Sequence, residues 1–100
     1  MFASIVTARV AVDRIDDLAE LYERFEPTLH EAPGWRGVYL VVDRSSGEGH
    51  LVGLWDSEEH ALAFERDGTF ARLLADYPAG ILLGAPTRNV GEVIFHAAAE

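Results

Sequence analysis

Residues 50–64 read HLVGLWDSEEHALAF, a strand running into a helix. Leu51, Val52, Leu54 and Trp55 make a short apolar run of strand formers, interrupted by Gly53. Asp56 offers a side-chain oxygen to the free N–H groups of a helix start, and Glu59 stands where a capping box needs it. Ser57 is the alternative cap, one residue later. Asp56, Glu58 and Glu59 put negative charge at the positive end of the helix dipole. Ala61, Phe64, Phe70, Leu73, Leu74 and Tyr77 then supply an apolar stripe.

Outward from that junction the chain reads as βαββαβ. Phe2–Val12 is the first strand. Asp13 is the expected cap of the first helix, where Ile15, Leu18, Tyr22, Phe25 and Leu29 recur at spacings of three and four. Pro27 ends this helix near Phe25 or kinks it into a last turn before Ala32-Pro33-Gly34. Trp35–Asp43 is the second strand, and Arg44–Gly49 a polar hairpin loop leading to the third. Asp67-Gly68-Thr69 interrupts the second helix, and Thr69 caps its continuation to Asp76. Ile81-Leu82-Leu83 packs the middle of a Pro- and Gly-rich connection. Thr87–His96 is the fourth strand.

This order predicts an α+β fold, a ferredoxin-like sandwich with a four-stranded antiparallel sheet and two helices on one face. Such a sheet should alternate apolar with polar residues. Yet Val38–Val42, Leu51–Trp55 and Val93–Phe95 are apolar on both faces. Packing the bare faces of two copies together removes the patch, so a homodimer is expected.

One hundred residues, 49% of them hydrophobic, bound a single domain over 1–100. The net charge of −9, with no basic tract, argues against a nucleic-acid partner. All eight basic residues are Arg, the mark of a GC-rich genome. With no Cys there is neither a disulfide nor a thiolate metal site. No apolar run nears the roughly 20 residues that span a membrane, and Met1 leads straight into a strand, so a cytoplasmic protein without a leader is expected.

Pro33-Gly34-Trp35-Arg36-Gly37, Leu54-Trp55-Asp56-Ser57-Glu58-Glu59-His60-Ala61 and the Phe64/Phe70 pair resemble the antibiotic-biosynthesis-monooxygenase-like group of dimeric α+β barrels. The resemblance covers nearly the whole chain. It implies a ligand cavity between helices and sheet within each protomer. The group includes cofactor-free oxygenases of aromatic polyketides and haem-degrading enzymes. The haem-degrading branch places an Asn, a Trp and a His at positions that match Thr7, Phe64 and Leu74, so haem chemistry is not expected. The polyketide branch has an amide, a Trp and a Tyr where this chain has His60, Phe64 and Phe70.

The resemblance thus implies a cofactor-independent monooxygenase for an aromatic or polycyclic small molecule. Thr7, Trp35, Tyr39, Trp55, Phe64, Phe70 and Leu74 are the candidate ligand-binding residues. His60 is the candidate base, since imidazole titrates near neutrality. The plainer reading of His60 is a partly exposed helix residue beside Glu59; Trp35, Tyr39 and Trp55 serve equally as core aromatics. Asn89 reads as a turn residue. Glu92, mid-strand, is expected to pair with Arg9 or Arg88. His30, His50 and His96 lack metal-ligand spacing, and no metal or other cofactor is assigned. Two further readings use the same chain. One is a non-catalytic binding or accessory protein. The other is a dimerisation module whose cavity is filled by its own side chains.

Overall fold

The structure, a computed structural model, describes residues 1–99. Its elements are β1 (Phe2–Arg9), a 3-10 turn (Val12–Arg14), α1 (Ile15–Glu31), β2 (Trp35–Val42), β3 (Glu48–Trp55), α2 (Glu58–Arg66), α3 (Thr69–Ala75) and β4 (Thr87–Glu92). Every strand pair is antiparallel, in the order β2-β3-β1-β4. This is the ferredoxin-like arrangement that the element order predicts, with the second helix in two pieces.

Strand alternation sorts residues onto two faces. Ser4, Val6 and Trp55 turn inward and are buried with Ile15, Leu18, Leu21, Phe25 and Leu29 of α1 and with Ala61 and Phe64 of α2. Burying each large apolar side chain contributes about 1.5–3 kcal/mol. Ile5, Tyr39 and Val41 turn outward and stay 39%, 63% and 57% exposed. No helix of the described residues is long and apolar enough to cross a membrane.

The junction at residues 50–64 differs from expectation by one residue. Asp56 does not cap α2. Its carboxylate accepts from Arg36 Nη1 at 3.0 Å, and its N–H donates to the Gly34 carbonyl at 2.8 Å. Ser57, the alternative, is the cap, and its Oγ accepts from the His60 N–H at 3.2 Å. Gly53 has a packing reason. A Cβ there would lie 2.8 Å from Ser4 Oγ and 3.1 Å from Trp55 Nε1, the two atoms that hydrogen-bond to each other at 3.1 Å.

Other boundaries move for tertiary reasons. β1 stops at Arg9 because the chain leaves the sheet for the connection: Ala11 N–H donates to the Ile81 carbonyl, and Val10 bridges Leu82. Ile81 is fully buried, whereas Leu83 is exposed. Asp13 does not cap α1; a 3-10 turn intervenes, and α1 starts at Ile15 without a side-chain cap. Pro27 lies inside α1, which runs on to Glu31. Its missing bond frees the carbonyl of Glu23 on the exposed side, while buried Leu29 holds the last turn. β4 ends at Glu92, not His96, because its neighbour runs out: Glu92 pairs with Phe2, and Val93 reaches only the carbonyl of Met1. Ile94 and Phe95 lie beyond the sheet, fully open to solvent.

Candidate functional site

Between sheet and helices lie two contiguous hollows, each about 30 Å³. Val6, Tyr22, Leu51 and Phe70 border both. The first extends to Leu18, Leu40, Leu74, Tyr77 and Leu82. The second extends to Trp35, Trp55, Phe64, Leu73 and Arg88. Each holds roughly one water molecule's volume, so the chamber is nearly filled by its own walls.

Three polar features interrupt those walls. The first is the Tyr22–Tyr77 hydroxyl pair, which joins α1 to the end of α3. Burial pushes both phenols above their ordinary range, and for Tyr22 the neighbouring Tyr77 adds to it. Both therefore remain neutral at physiological pH. Aromatic packing fixes their rings: Tyr22 meets Phe25 edge-on at 5.3 Å, and Tyr77 stacks on Phe25 at 6.3 Å.

The second feature is Arg88, whose side chain is only 11% exposed. It pairs with Glu65, donates to the Ala61 carbonyl at 2.9 Å and lies 5.5 Å above the Phe70 ring. A guanidinium held this way carries a cation–π contribution, and its positive charge at the cavity wall is offset in part by Glu65, whose side chain is 53% exposed. The pairing with Glu92 is thus corrected: Arg88 faces the helices, and Glu92 is exposed at the strand end. The third feature is the Ser4–Trp55 hydrogen bond, which satisfies both buried groups.

The expected site residues divide. Trp35, Trp55, Phe64, Phe70 and Leu74 all border the chamber. Trp55 and Phe64 pack at 5.0 Å between centroids, and Trp35 meets His30 edge-on at 4.8 Å. Thr7 and Tyr39 stand on the other face of the sheet, away from those five. Thr7 Oγ1 lies 3.2 Å from His50 Nδ1 there, and Tyr39 is open to solvent. One residue's shift in strand phase reverses the face, and composition alone did not set the phase.

His60 lies outside the chamber. Its ring packs on the turn before β2, where a Cβ on Gly34 would come within 2.3 Å of His60 Cγ. Its Nδ1 is 2.8 Å from Ser57 Oγ. The imidazole thus locks the α1–β2 turn to the start of α2. Tyr22, Tyr77 and Arg88 are the site residues that sequence reading did not nominate. Arg88 had a signal: it shares strand phase with Val90, which packs on the core.

Haem does not fit the residues present. Leu74, the residue matched above to the histidine of the haem-degrading branch, offers no iron-ligating atom, and His50, which borders the first hollow, has its Nδ1 3.2 Å from Thr7 Oγ1 on the far face. Among the described residues no group of three His, Cys, Asp or Glu could hold a metal ion.

Fold and chamber together define a ferredoxin-like α+β protein with an aromatic-walled space behind its sheet. The chain belongs to the antibiotic biosynthesis monooxygenase family, whose family model matches residues 1–75. No curated protein sequence matches the chain. Among solved structures it is similar to the haem-degrader MhuD of Mycobacterium tuberculosis, with 16% identity over 98% of this chain and 100% of that one and a TM-score of 0.78. It is also similar to an antibiotic biosynthesis monooxygenase, with 18% identity over 94% and 99% and a TM-score of 0.70. A protein of unknown function from Nitrosomonas europaea shares 16% identity over 99% and 94%, with a TM-score of 0.75. These likenesses are likenesses of fold.

Proposed function

We propose that this chain is a cofactor-independent monooxygenase that oxidises a flat, hydroxylated aromatic molecule held between its sheet and helices. The observation that carries the reading is Arg88: a largely buried guanidinium facing an otherwise aromatic and aliphatic chamber. A hydroxylated polycyclic substrate with an acidic ring CH₂ loses a proton to water, becoming an electron-rich anion; its two C–H protons end on the water that is released. A fixed positive charge in a water-poor space stabilises that anion. O₂ forms a bond to the ring carbon, the O–O bond then breaks, one oxygen stays as a carbonyl and the other leaves as water. The carbon gives up four electrons and O₂ accepts four, so no outside reductant is needed. The reading does not use His60, whose ring is engaged with Ser57.

The ligand makes room by rotation of the Phe70 and Leu74 side chains of α3, which leaves Tyr77 on Tyr22. Only Leu73 of this seven-residue helix is fully buried, and Gly68, at φ +84°, joins it to α2. Residues 1–100 act as one domain, and the exposed apolar outer face of the sheet pairs two copies into a homodimer. Oxygen-electrode measurements with a hydroxylated anthrone test the activity. Wild type should consume O₂ well above the uncatalysed rate, and Arg88→Met should lose about 10²-fold. A rate equal to the enzyme-free control overturns the monooxygenase reading. Tight binding with no O₂ uptake favours a non-catalytic binder.

A further inference from the structure

We propose that the Tyr22–Tyr77 hydroxyl pair is a binding site for one oxygen atom of the ligand, a carbonyl on an aromatic ring system. The inference rests on the chamber reading above and specifies what that chamber selects. Each neutral phenol carries one O–H donor and lone pairs that accept. The two hydroxyls therefore bring two protons, and their mutual hydrogen bond uses one. Neither hydroxyl has a second protein partner among the described residues. Whichever phenol donates to the other, one O–H remains without an acceptor, and both side chains border the first hollow.

That spare donor is strengthened by the bond its own oxygen accepts, since hydrogen bonds in a chain polarise one another. Leu18, Leu40, Leu74 and Leu82 surround it, and His50, which also borders the hollow, has its Nδ1 3.2 Å from Thr7 Oγ1 on the far face. A carbonyl oxygen completes the chain phenol, phenol, ligand. A pure hydrocarbon leaves it open, so the pair discriminates by leaving a donor unmet when the wrong ligand binds. Because burial keeps both phenols neutral, the donor persists across the physiological pH range. Arg88 borders the second hollow and not the first. A ligand spanning both thus meets a neutral donor at one end and a cation at the other.

The probes are 9-fluorenone and fluorene, which differ at one carbon by a carbonyl oxygen. Their binding is followed by quenching of Trp35 and Trp55. Wild type should bind fluorenone about 10-fold more tightly than fluorene, the scale of one well-placed hydrogen bond. Tyr22→Phe/Tyr77→Phe keeps both rings and their packing. It should bind fluorene as wild type does and fluorenone no better than fluorene. Infrared spectra should show the fluorenone carbonyl stretch lowered on wild type and not on the double variant. A preference that survives in the double variant overturns the proposal. So does a wild type that binds both probes equally, and in that case the chamber reading stands. Binding of neither probe overturns both.

Discussion

The inner face of the sheet is closed by the chain's own helices; among the described residues no helix covers the outer face. Inside, Ser4, Val6 and Trp55 are buried, and among the described residues no fully buried side-chain nitrogen or oxygen lacks a hydrogen-bonded neighbour. Outside, Ile5, Tyr39 and Val41 are as apolar as their inner counterparts and remain exposed. Two faces of similar composition thus have opposite solvation. The difference lies in what packs on them, and three helices cover one side only. A patch of this kind marks an interaction surface. The chamber and the exposed apolar patch share one sheet and use opposite strand phases.

The hardest break on the inner side is Trp55→Ala. It removes a buried indole and leaves Ser4 Oγ without its partner. It should cost about 3–5 kcal/mol in denaturant titration. A loss under about 1 kcal/mol would mean that Trp55 is not part of the core. On the outer side, sedimentation equilibrium should return twice the 11.0 kDa chain mass. Val41→Asp should weaken the dimer by about 10²-fold by burying an unpaired charge, with the protomer still folded. A wild type sedimenting as a monomer leaves the outer face without the proposed partner.

Gly34→Ala probes the turn at the edge between the two faces. At φ +77° and with His60 Cγ 2.3 Å from the added Cβ, it should cost about 1–2 kcal/mol for the left-handed backbone alone, plus the clash. Adding His60→Ala should recover the clash and not the backbone strain. No recovery would show that His60 does not crowd the turn.

A pH titration probes the inner phenols. Burial raises the pKa of Tyr22 and Tyr77 above the ordinary value of 10.0, so the folded state favours the neutral forms. Their contribution is fully present below pH 10, and falls as pH rises above it because the unfolded chain releases protons first. The decline should be on the order of 1 kcal/mol per pH unit for each phenol. It should flatten in Tyr22→Phe/Tyr77→Phe. An identical alkaline slope in the double variant contradicts burial of the pair. Ser57→Ala should cost about 1 kcal/mol for a lost cap, measured by thermal unfolding. Asp56→Ala should cost less, since its carboxylate serves an exposed pair with Arg36. The reverse ranking would return the cap to Asp56.

Local physics was legible from the chain. Periods of two and of three to four residues set the order of strands and helices, and Ser57 was within reach as a cap because capping involves residues three apart. The aromatic walls contributed by Trp35, Trp55, Phe64 and Phe70 followed from motifs that cluster at the strand–helix junction. What periodicity leaves open is strand phase in runs apolar on both faces. Thr7 and Tyr39 accordingly lie outside the chamber. The Tyr22–Tyr77 bond closes 55 residues of chain and the Ser4–Trp55 bond 51. Arg88 meets Glu65 across 23. Such pairs form only once distant strands pair and helices dock on the sheet, because nothing local brings their atoms together. β4 stops at Glu92 for the same reason: Val93–Phe95 has strand character, and its neighbouring strand has ended at Phe2. Sequence therefore determined the elements and the family. Docking determined which side chains meet, because that depends on the register of strands far apart in the chain.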